Sequence, residues 1–330
     1  MDKLLSILIP VYNCEKTIAR CFDSIVEQKG FNEHVDLLVI NDGSTDKTES
    51  IIKQYMVKYD QIRLISRGNK GIGPTRNELL DNAIGQYFWF IDGDDYIEDD
   101  SLLNIQEKLK RGDIDMMIMG YRIIDEKGHE TGCYMYSGEY DSGIDLTAKG
   151  FFNNSLWTRI YRLKKINHLG VRFNSFVMAE DFDFIFRLIP STEKVFCIED
   201  VIYNYVMTPH SATKEDSFSH RQKVAEDSLS CILNYGLYFN GFDKKTVNIL
   251  KQPFNANLIA FLYSIATYSF PWEYKKSIIK KLNAVGFIPI KPLPTNKRRR
   301  LFSVMMNIPL LRFFLFTYLH KRQDEKNIKS

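Results

Sequence analysis

The chain predicts an α/β fold in which buried strands form a sheet covered by helices, with a helical C-terminal region behind it. Three observations carry this. Apolar runs of β type recur at residues 4–11, 35–40 and 87–91. Each ends in a polar turn built from Asn, Asp or Gly, and segments of helical period separate them. Alternation of this kind implies parallel strands joined by right-handed helical crossovers.

The elements follow in order. After the first run come Tyr12 and Asn13, and residues 15–28 carry Ile18, Cys21, Phe22 and Ile25 at helical spacing. The second run, VDLLVI, passes into Asn41, Asp42, Gly43, Ser44, Thr45 and Asp46, and helix-forming KTESIIKQYMVKY follows. Arg76, in GPTRN, stands near the start of a further helix. The third run, YFWFI, delivers Asp92, Gly93, Asp94 and Asp95 to its far end. Residues 114–121 read as another strand, and 121–149, rich in Gly, Tyr and charge, as a loop or small hairpin. Glu180 and Asp181 precede a helix marked by Phe182, Ile185, Phe186 and Ile189. Residues 217–289 read as helices, QPFNANLIAFLYSIATYSF as a buried one and YKKSIIKKLNAVGF as an amphipathic one. The organisation expected is a domain over 1–215 and a helical region over 216–330.

Composition narrows the class. With 330 residues, 45% of them hydrophobic, the chain can bury a sizeable core. Five scattered cysteines form no CxxC pair, which argues against a disulfide framework or a cysteine zinc site and suits a reducing cytosol. The short first apolar run lacks a cleavage signature and reads as a core strand, not a signal peptide. The net charge of +3 hides an asymmetry: from residue 291 onward ten Lys or Arg face only Asp324 and Glu325. A basic end on a mildly acidic body points to an anionic partner. The sequence between the basic clusters, LFSVMMNIPLLRFFLFTYL, is mostly apolar, which speaks for lipid head groups and against nucleic acid. Asn307, Pro309 and Arg312 near its middle disfavour a spanning helix. An interfacial segment over about residues 296–322, or a helix packed on the preceding domain, is favoured over a spanning one.

Ligands of parallel α/β sheets bind beyond the carboxyl ends of the strands. Asn13, Asp42 and the Asp92 cluster all stand at such ends, so one cleft can collect them. Aspartates at i and i+2 after a buried strand give two hard oxygens that can converge on a divalent cation, which in turn can hold a phosphate. Asp and Gly are also ordinary turn residues. An EF-hand is set aside, because Ile97 and Leu103 occupy the positions of its Gly and bidentate Glu.

SILIPVYN, VINDGSTDKT, NKGIGPTRN, FWFIDGDD and AEDFDF, in this order and at these separations, resemble the inverting family 2 glycosyltransferases. The resemblance covers about residues 5–215. It implies a GT-A fold, a mixed Rossmann-like sheet that takes a nucleotide-diphospho-sugar, and similar-looking members build bacterial capsule, exopolysaccharide or lipopolysaccharide. It further implies donor nucleotide contacts from Pro10, Tyr12, Asn13, Asp42, Arg76, Asp92 and Gly93, with Asp42 accepting from a base N–H or ribose hydroxyl. Arg76 would lie near the phosphates or pair with an Asp. Asp94, Asp92 and His210 would hold Mn²⁺ or Mg²⁺ at the departing diphosphate. Ser211, Thr213 and Lys214 would belong to a lid. Asp95 and Trp157 would meet the donor sugar, Asp181 would act as the base, and Glu180 would orient the acceptor or sugar. The implied acceptor is a glycan or undecaprenyl-linked sugar, reached from the cytoplasmic face of the plasma membrane.

Other classes fit less well. A nucleotidyltransferase shares the sheet, the acidic ligands and the nucleotide, but usually needs a Gly-rich basic loop, and YNCEKT is not one. A non-catalytic nucleotide-sugar or lipid-binding protein would not need both Asp94 and Asp181. Dinucleotide oxidoreduction requires a G-x-G-x-x-G spacing that GIGPTR lacks.

Overall fold

The structure, a computed structural model, describes residues 3–175, 179–207, 217–291 and 297–327, with side chains up to residue 319. The chain divides into two compact units, Met1–Glu215 and Asp216–Ser330.

In the first unit β1 (Leu5–Val11), α1 (Ile18–Val26), β2 (Val35–Asp42), α2 (Thr48–Met56), β3 (Ile62–Arg67), α3 (Ile72–Asn82) and β4 (Tyr87–Phe90) alternate as the apolar runs predict. There follow β5 (Tyr96–Ile97), α4 (Ser101–Leu109), β6 (Met116–Ile124), β7 (Glu130–Tyr134), β8 (Gly138–Ser142), α5 (Gly143–Ala148), β9 (Arg159–Arg162), α6 (Leu163–Leu169), α7 (Glu180–Leu188) and β10 (Glu193–Val206). The main strand order is β3-β2-β1-β4-β9-β6-β10-β5, with β7 beside β6 and β8 beside β10. β1 pairs in parallel with both β2 and β4, Leu5 standing opposite Val35 and Tyr87. β9 runs antiparallel between β4 and β6, so the sheet is mixed. The ends of β1, β2, β4, β6 and β10 therefore point the same way, and the loops that leave them share one rim.

β1, β2 and β4 are buried along their whole length. That is why they read as continuous apolar runs rather than alternating ones. β3 was not legible in this way: most of its residues are half exposed, as expected of an edge strand, and its charged side chains interrupt the pattern. Arg63 on β3 donates to both carboxylate oxygens of Asp36 at 2.6 and 2.8 Å, which compensates a charge buried in β2. The loop or hairpin expected over 121–149 is partly strand. β6 and β7 form the hairpin, Tyr121 opposite Tyr134, while β8 leaves it to pair with β10.

The second unit contains α8 (Phe218–Tyr238), α9 (Lys244–Thr267), α10 (Trp272–Ala284), α11 (Lys297–Asn307) and α12 (Pro309–Asn327). α9 buries Leu250, Phe254, Leu258, Leu262 and Ile265, and α10 buries Ile278, Ile279 and Leu282. The apolar run of 301–319 is not one helix: it breaks at Ile308, and Pro309, whose ring disfavours helix in the residue before it, opens α12. Among the described residues no helix is long and apolar enough to cross a membrane.

Candidate active site

The turn after β1 and the turn after β2 are tied together. Asn13, held at φ 52°, donates its N–H to Ser44 Oγ at 2.9 Å and accepts from the Thr45 N–H at 2.9 Å. Asp46 accepts from the N–H groups of Glu15 and Thr48 at 3.0 and 2.9 Å, and these bonds hold its carboxyl below the usual range against the raising effect of burial. Pro10, next to last in β1, stands opposite Ile40. Tyr12 leaves the strand 51% exposed, an aromatic face available to a planar ligand.

Asp42 is 5% exposed and accepts from the Lys70 and Gly71 N–H groups at 2.8 and 3.0 Å and from Arg67. It therefore organises the turn that begins α3, yet Oδ2 accepts only one of these bonds and keeps a lone-pair position for another donor.

The Asp92 turn is suspended from three elements. On α1, Thr17 Oγ1 donates to the Gly93 carbonyl at 2.9 Å and Arg20 donates to the Asp94 carbonyl at 2.5 Å. On β10, the Tyr203 hydroxyl accepts from the Asp92 N–H at 3.1 Å and donates to Asp95 Oδ2 at 2.7 Å. Along this turn burial alternates: Gly93 and Asp95 are buried, while Asp92 and Asp94 are partly exposed.

The third partner is α3. Arg76, 4% exposed, lies between Phe90 and Phe173, and its guanidinium meets three carboxylates. Nη1 reaches Glu180 at 2.9 Å and Asp181 at 2.5 Å, and Nη2 lies 3.5 Å from Asp92. Glu180 and Asp181 open α7, and Ala179 before them takes a left-handed φ of 71°, unusual without glycine. Asn77 and Gly73 bring α3 and α7 together. Asn77 makes two hydrogen bonds with the Phe173 backbone, of 2.7 and 2.9 Å, and Phe173 stacks on Phe184 of α7 at 4.0 Å. A Cβ at Gly73 would stand 2.2 Å from the Asn174 carbonyl oxygen, so only glycine permits this approach.

One guanidinium cannot neutralise three carboxylates, and the electrostatics show the excess. Burial pushes the Asp181 carboxyl up to about 8, with Arg76 pulling it down and Glu180 and Asp92 pushing it further up. Burial, then the charge of Asp92, raises Asp94 to about 6. A cation placed at Asp92 and Asp94 would relieve this, and two partly exposed hard oxygen ligands fit Mg²⁺ or Mn²⁺, which keep several positions for water and substrate phosphate. Among the described residues no cluster of three ligating side chains forms. His210, the third ligand expected from sequence, lies outside the described residues, as do Ser211, Thr213 and Lys214.

Two expectations are corrected. Asp95 is 0% exposed, with one oxygen bonded to Tyr203 and the other accepting from the Val206 N–H at 2.7 Å, so it braces the turn and does not face a donor sugar. Trp157 is 8% exposed and stacks on Tyr203 and Tyr205, with centroids 4.4 and 5.5 Å away, so its faces are already covered. For Arg76 the structure takes the second of its two expected places, pairing with Asp: both terminal nitrogens face carboxylates, and buried Nε has no partner among the described residues. Nearby Arg159 is likewise buried, bound to Asn153, Ser155 and Thr158.

Sequence reasoning missed Thr17, Arg20, Arg67 and Tyr203. Arg67 at the end of β3 is marked only by its place at a strand end, and Tyr203 lies in an aromatic-rich strand with nothing to distinguish its hydroxyl.

Residues 6–175 match the description "Glycosyl transferase family 2". The chain is similar to an uncharacterized glycosyltransferase, EpsJ, of Bacillus subtilis, 26% identical over 261 residues that cover 76% of this chain and 75% of the relative. It is also similar to the poly(ribitol-phosphate) beta-glucosyltransferase of Bacillus spizizenii, 28% identical over 62% of this chain and 32% of that protein. Among solved structures, S. aureus TarS 1-349 in complex with UDP-GlcNAc superposes with a TM-score of 0.68 at 18% identity, covering 99% of this chain and 92% of that one. A mannosyltransferase of Pyrobaculum calidifontis, solved with GDP-Man and Mn²⁺, superposes at 0.55 with 14% identity, covering 96% and 84%. The fold is the GT-A fold, and from the mixed sheet with its carboxylate-lined rim and the family match over half its length, the chain is a member of glycosyl transferase family 2.

Proposed function

We propose that the protein moves a sugar from a UDP-sugar to a hydroxyl of a glycan or undecaprenyl-linked acceptor, with inversion and with a divalent cation, in the synthesis of a bacterial surface polysaccharide. The observation that carries this reading is the convergence of Asp92, Glu180 and Asp181, from two distant segments, on Arg76. Polysaccharide-related relatives and a structural neighbour bound to UDP-GlcNAc support it.

Tyr12, Asn13 and the free lone pair of Asp42 would receive the nucleoside. Asp94 and Asp92 would hold Mn²⁺ or Mg²⁺, whose charge stabilises the departing diphosphate without proton transfer. The acceptor oxygen bonds to the anomeric carbon from the side opposite the diphosphate, the bond from that carbon to the leaving oxygen breaks with its electron pair, and Asp181 takes the hydroxyl proton. A carboxylate that titrates near the working pH suits this role. One in-line displacement turns an α-linked donor into a β product. Arg76 favours the ionised form of Asp181 and orients it, and Glu180 shares that anchor. The enzyme would work on the cytoplasmic side of the plasma membrane, as a peripheral protein.

The test is calorimetric titration of UDP with and without Mn²⁺, for the wild type and Asp94→Ala. Metal-dependent affinity is expected in the first and not in the second, with the thermal transition retained because Asp94 stands on a partly exposed turn. Equal metal-dependent affinity in both would remove Asp94 from the site.

A further inference from the structure

We propose that the outward faces of α11 and α12 bind a membrane surface carrying anionic lipid. The proposal rests on the reading that the acceptor is presented at a membrane, and it names the surface of this chain that would dock there.

Each helix has two apolar faces, only one of which is used within the fold. Inward, Phe302 and Met306 of α11 and Leu315, Phe316 and Leu319 of α12 are buried. Tyr263 of α9 packs edge-on to Phe302 at 5.7 Å, and Trp272 of α10 to Phe316 at 6.0 Å, so the pair is fastened to the second unit. Outward stand Leu301 and Val304 on α11, Ile308 at the break that follows it, and Leu310, Phe314 and Tyr318 on α12, from 42 to 65% exposed. Their spacings, i, i+3, i+7 and i, i+4, i+8, align each trio along one side of its helix. Six large apolar side chains on adjoining helices make a patch of the kind that marks an interaction surface.

Charge identifies the occupant. Residues 297–300, Lys-Arg-Arg-Arg, are all exposed in the first turn of α11. The partial positive charge of a helix N-terminus disfavours cations there, so bases such as Lys297 and Arg300 work against the helix that carries them. An anionic surface would reverse that penalty. A second copy of the chain would not, because a two-fold interface over this face would bring two basic clusters together. A nucleic acid would satisfy the bases and leave the apolar trios in water. A bilayer with anionic head groups meets both, as for amphipathic helices lying in the interface. The break at Ile308 gives two short helices that can lie on such a surface, and neither is long and apolar enough to span it.

The experiment is co-sedimentation of the full chain, without donor, with phosphatidylcholine vesicles and with vesicles that also contain phosphatidylglycerol. The wild type should bind the anionic vesicles, less at high salt, and bind the neutral ones weakly. Lys297→Gln with Arg300→Gln should weaken anionic binding roughly 30-fold, since each base near such a surface is worth about fivefold. Leu310→Glu with Phe314→Glu should lose it while leaving the melting transition unchanged, both side chains being exposed. Wild-type chain left in the supernatant, equal binding to both vesicle types, or variants that bind like wild type would overturn the proposal. So would a doubled solution mass that Leu310→Glu abolishes, which would make the face a self-association surface. Metal-dependent UDP binding, measured on the same variants, reports separately on the glycosyl-transfer reading.

Discussion

Arg76→Leu is the most informative single change, because it removes the cation that pairs with all three carboxylates and keeps an apolar side chain between Phe90 and Phe173. Removing one partner of a buried ion pair costs about 3–5 kcal/mol. Glu180, Asp181 and Asp92 keep 12, 24 and 28% side-chain exposure, so water screens part of the uncovered charge and the lower end applies. With about 2–4 °C per kcal/mol in a unit of this size, a loss of about 3 kcal/mol lowers Tm by roughly 6–12 °C at pH 8. The pH dependence supplies the signature. A carboxyl raised in the folded state binds its proton more tightly there than in the unfolded chain. Its contribution therefore favours the fold at low pH and is lost as pH rises through the folded value, about 8 for Asp181. Without Arg76 that value moves higher, so the variant should recover stability on acidification from pH 8 to 6 more steeply than the wild type, and the acid limb of its transfer rate should shift to higher pH. Melting curves by circular dichroism across this range measure the first effect, and a pH series of UDP release measures the second. A variant with wild-type Tm at pH 8 and an unshifted acid limb would refute the view that Arg76 is the counter-ion of the base.

Two further outcomes follow from the site. Asp181→Asn keeps shape and hydrogen-bonding capacity but cannot accept the proton, so sugar transfer should fall by about two to four orders of magnitude with UDP affinity nearly unchanged; near-normal turnover would pass the base role to another group, Glu180 first. Tyr203→Phe keeps the stack on Trp157 but deletes the hydroxyl that joins the Asp92 N–H to Asp95, leaving a buried carboxylate oxygen short of a donor at a cost of about 1–3 kcal/mol. Metal-dependent UDP affinity should weaken together with Tm, and a variant that loses Tm alone would show that the hydroxyl serves the core and not the turn.

The sequence made the strand ends legible because β1, β2 and β4 are buried on both faces, and continuous burial leaves continuous apolar runs. The edge strand β3 escaped because half-exposed positions admit charge. The partnership of Arg76 with Glu180 and Asp181 escaped for another reason: it spans over a hundred residues of chain, and no local period records a contact made only when α3 and α7 are brought together by Asn77, Gly73 and Phe173. Trp157 shows the limit of residue type as evidence, since a ring suited to stacking on a sugar is equally suited to stacking on Tyr203.

Asp95 is the instructive case. DGDD offers three carboxylates, and composition alone gives no way to rank them. Yet the period of two that governs the strand persists past its last hydrogen-bonded residue: Ile91, Gly93 and Asp95 are buried, Asp92 and Asp94 partly exposed. The strand before it is buried on both faces, however, so its apolar run holds no parity by which counting could have told the inward carboxylate from the partly exposed pair. Burial raises the Asp95 carboxyl well above its ordinary value, but it is not left alone inside: Tyr203 and the Val206 N–H each donate to one of its oxygens at the end of β10. The same alternation thus divides the labour of the motif. Two aspartates stand partly exposed at the rim, and the third fixes the turn that carries them to β10, the strand that closes that side.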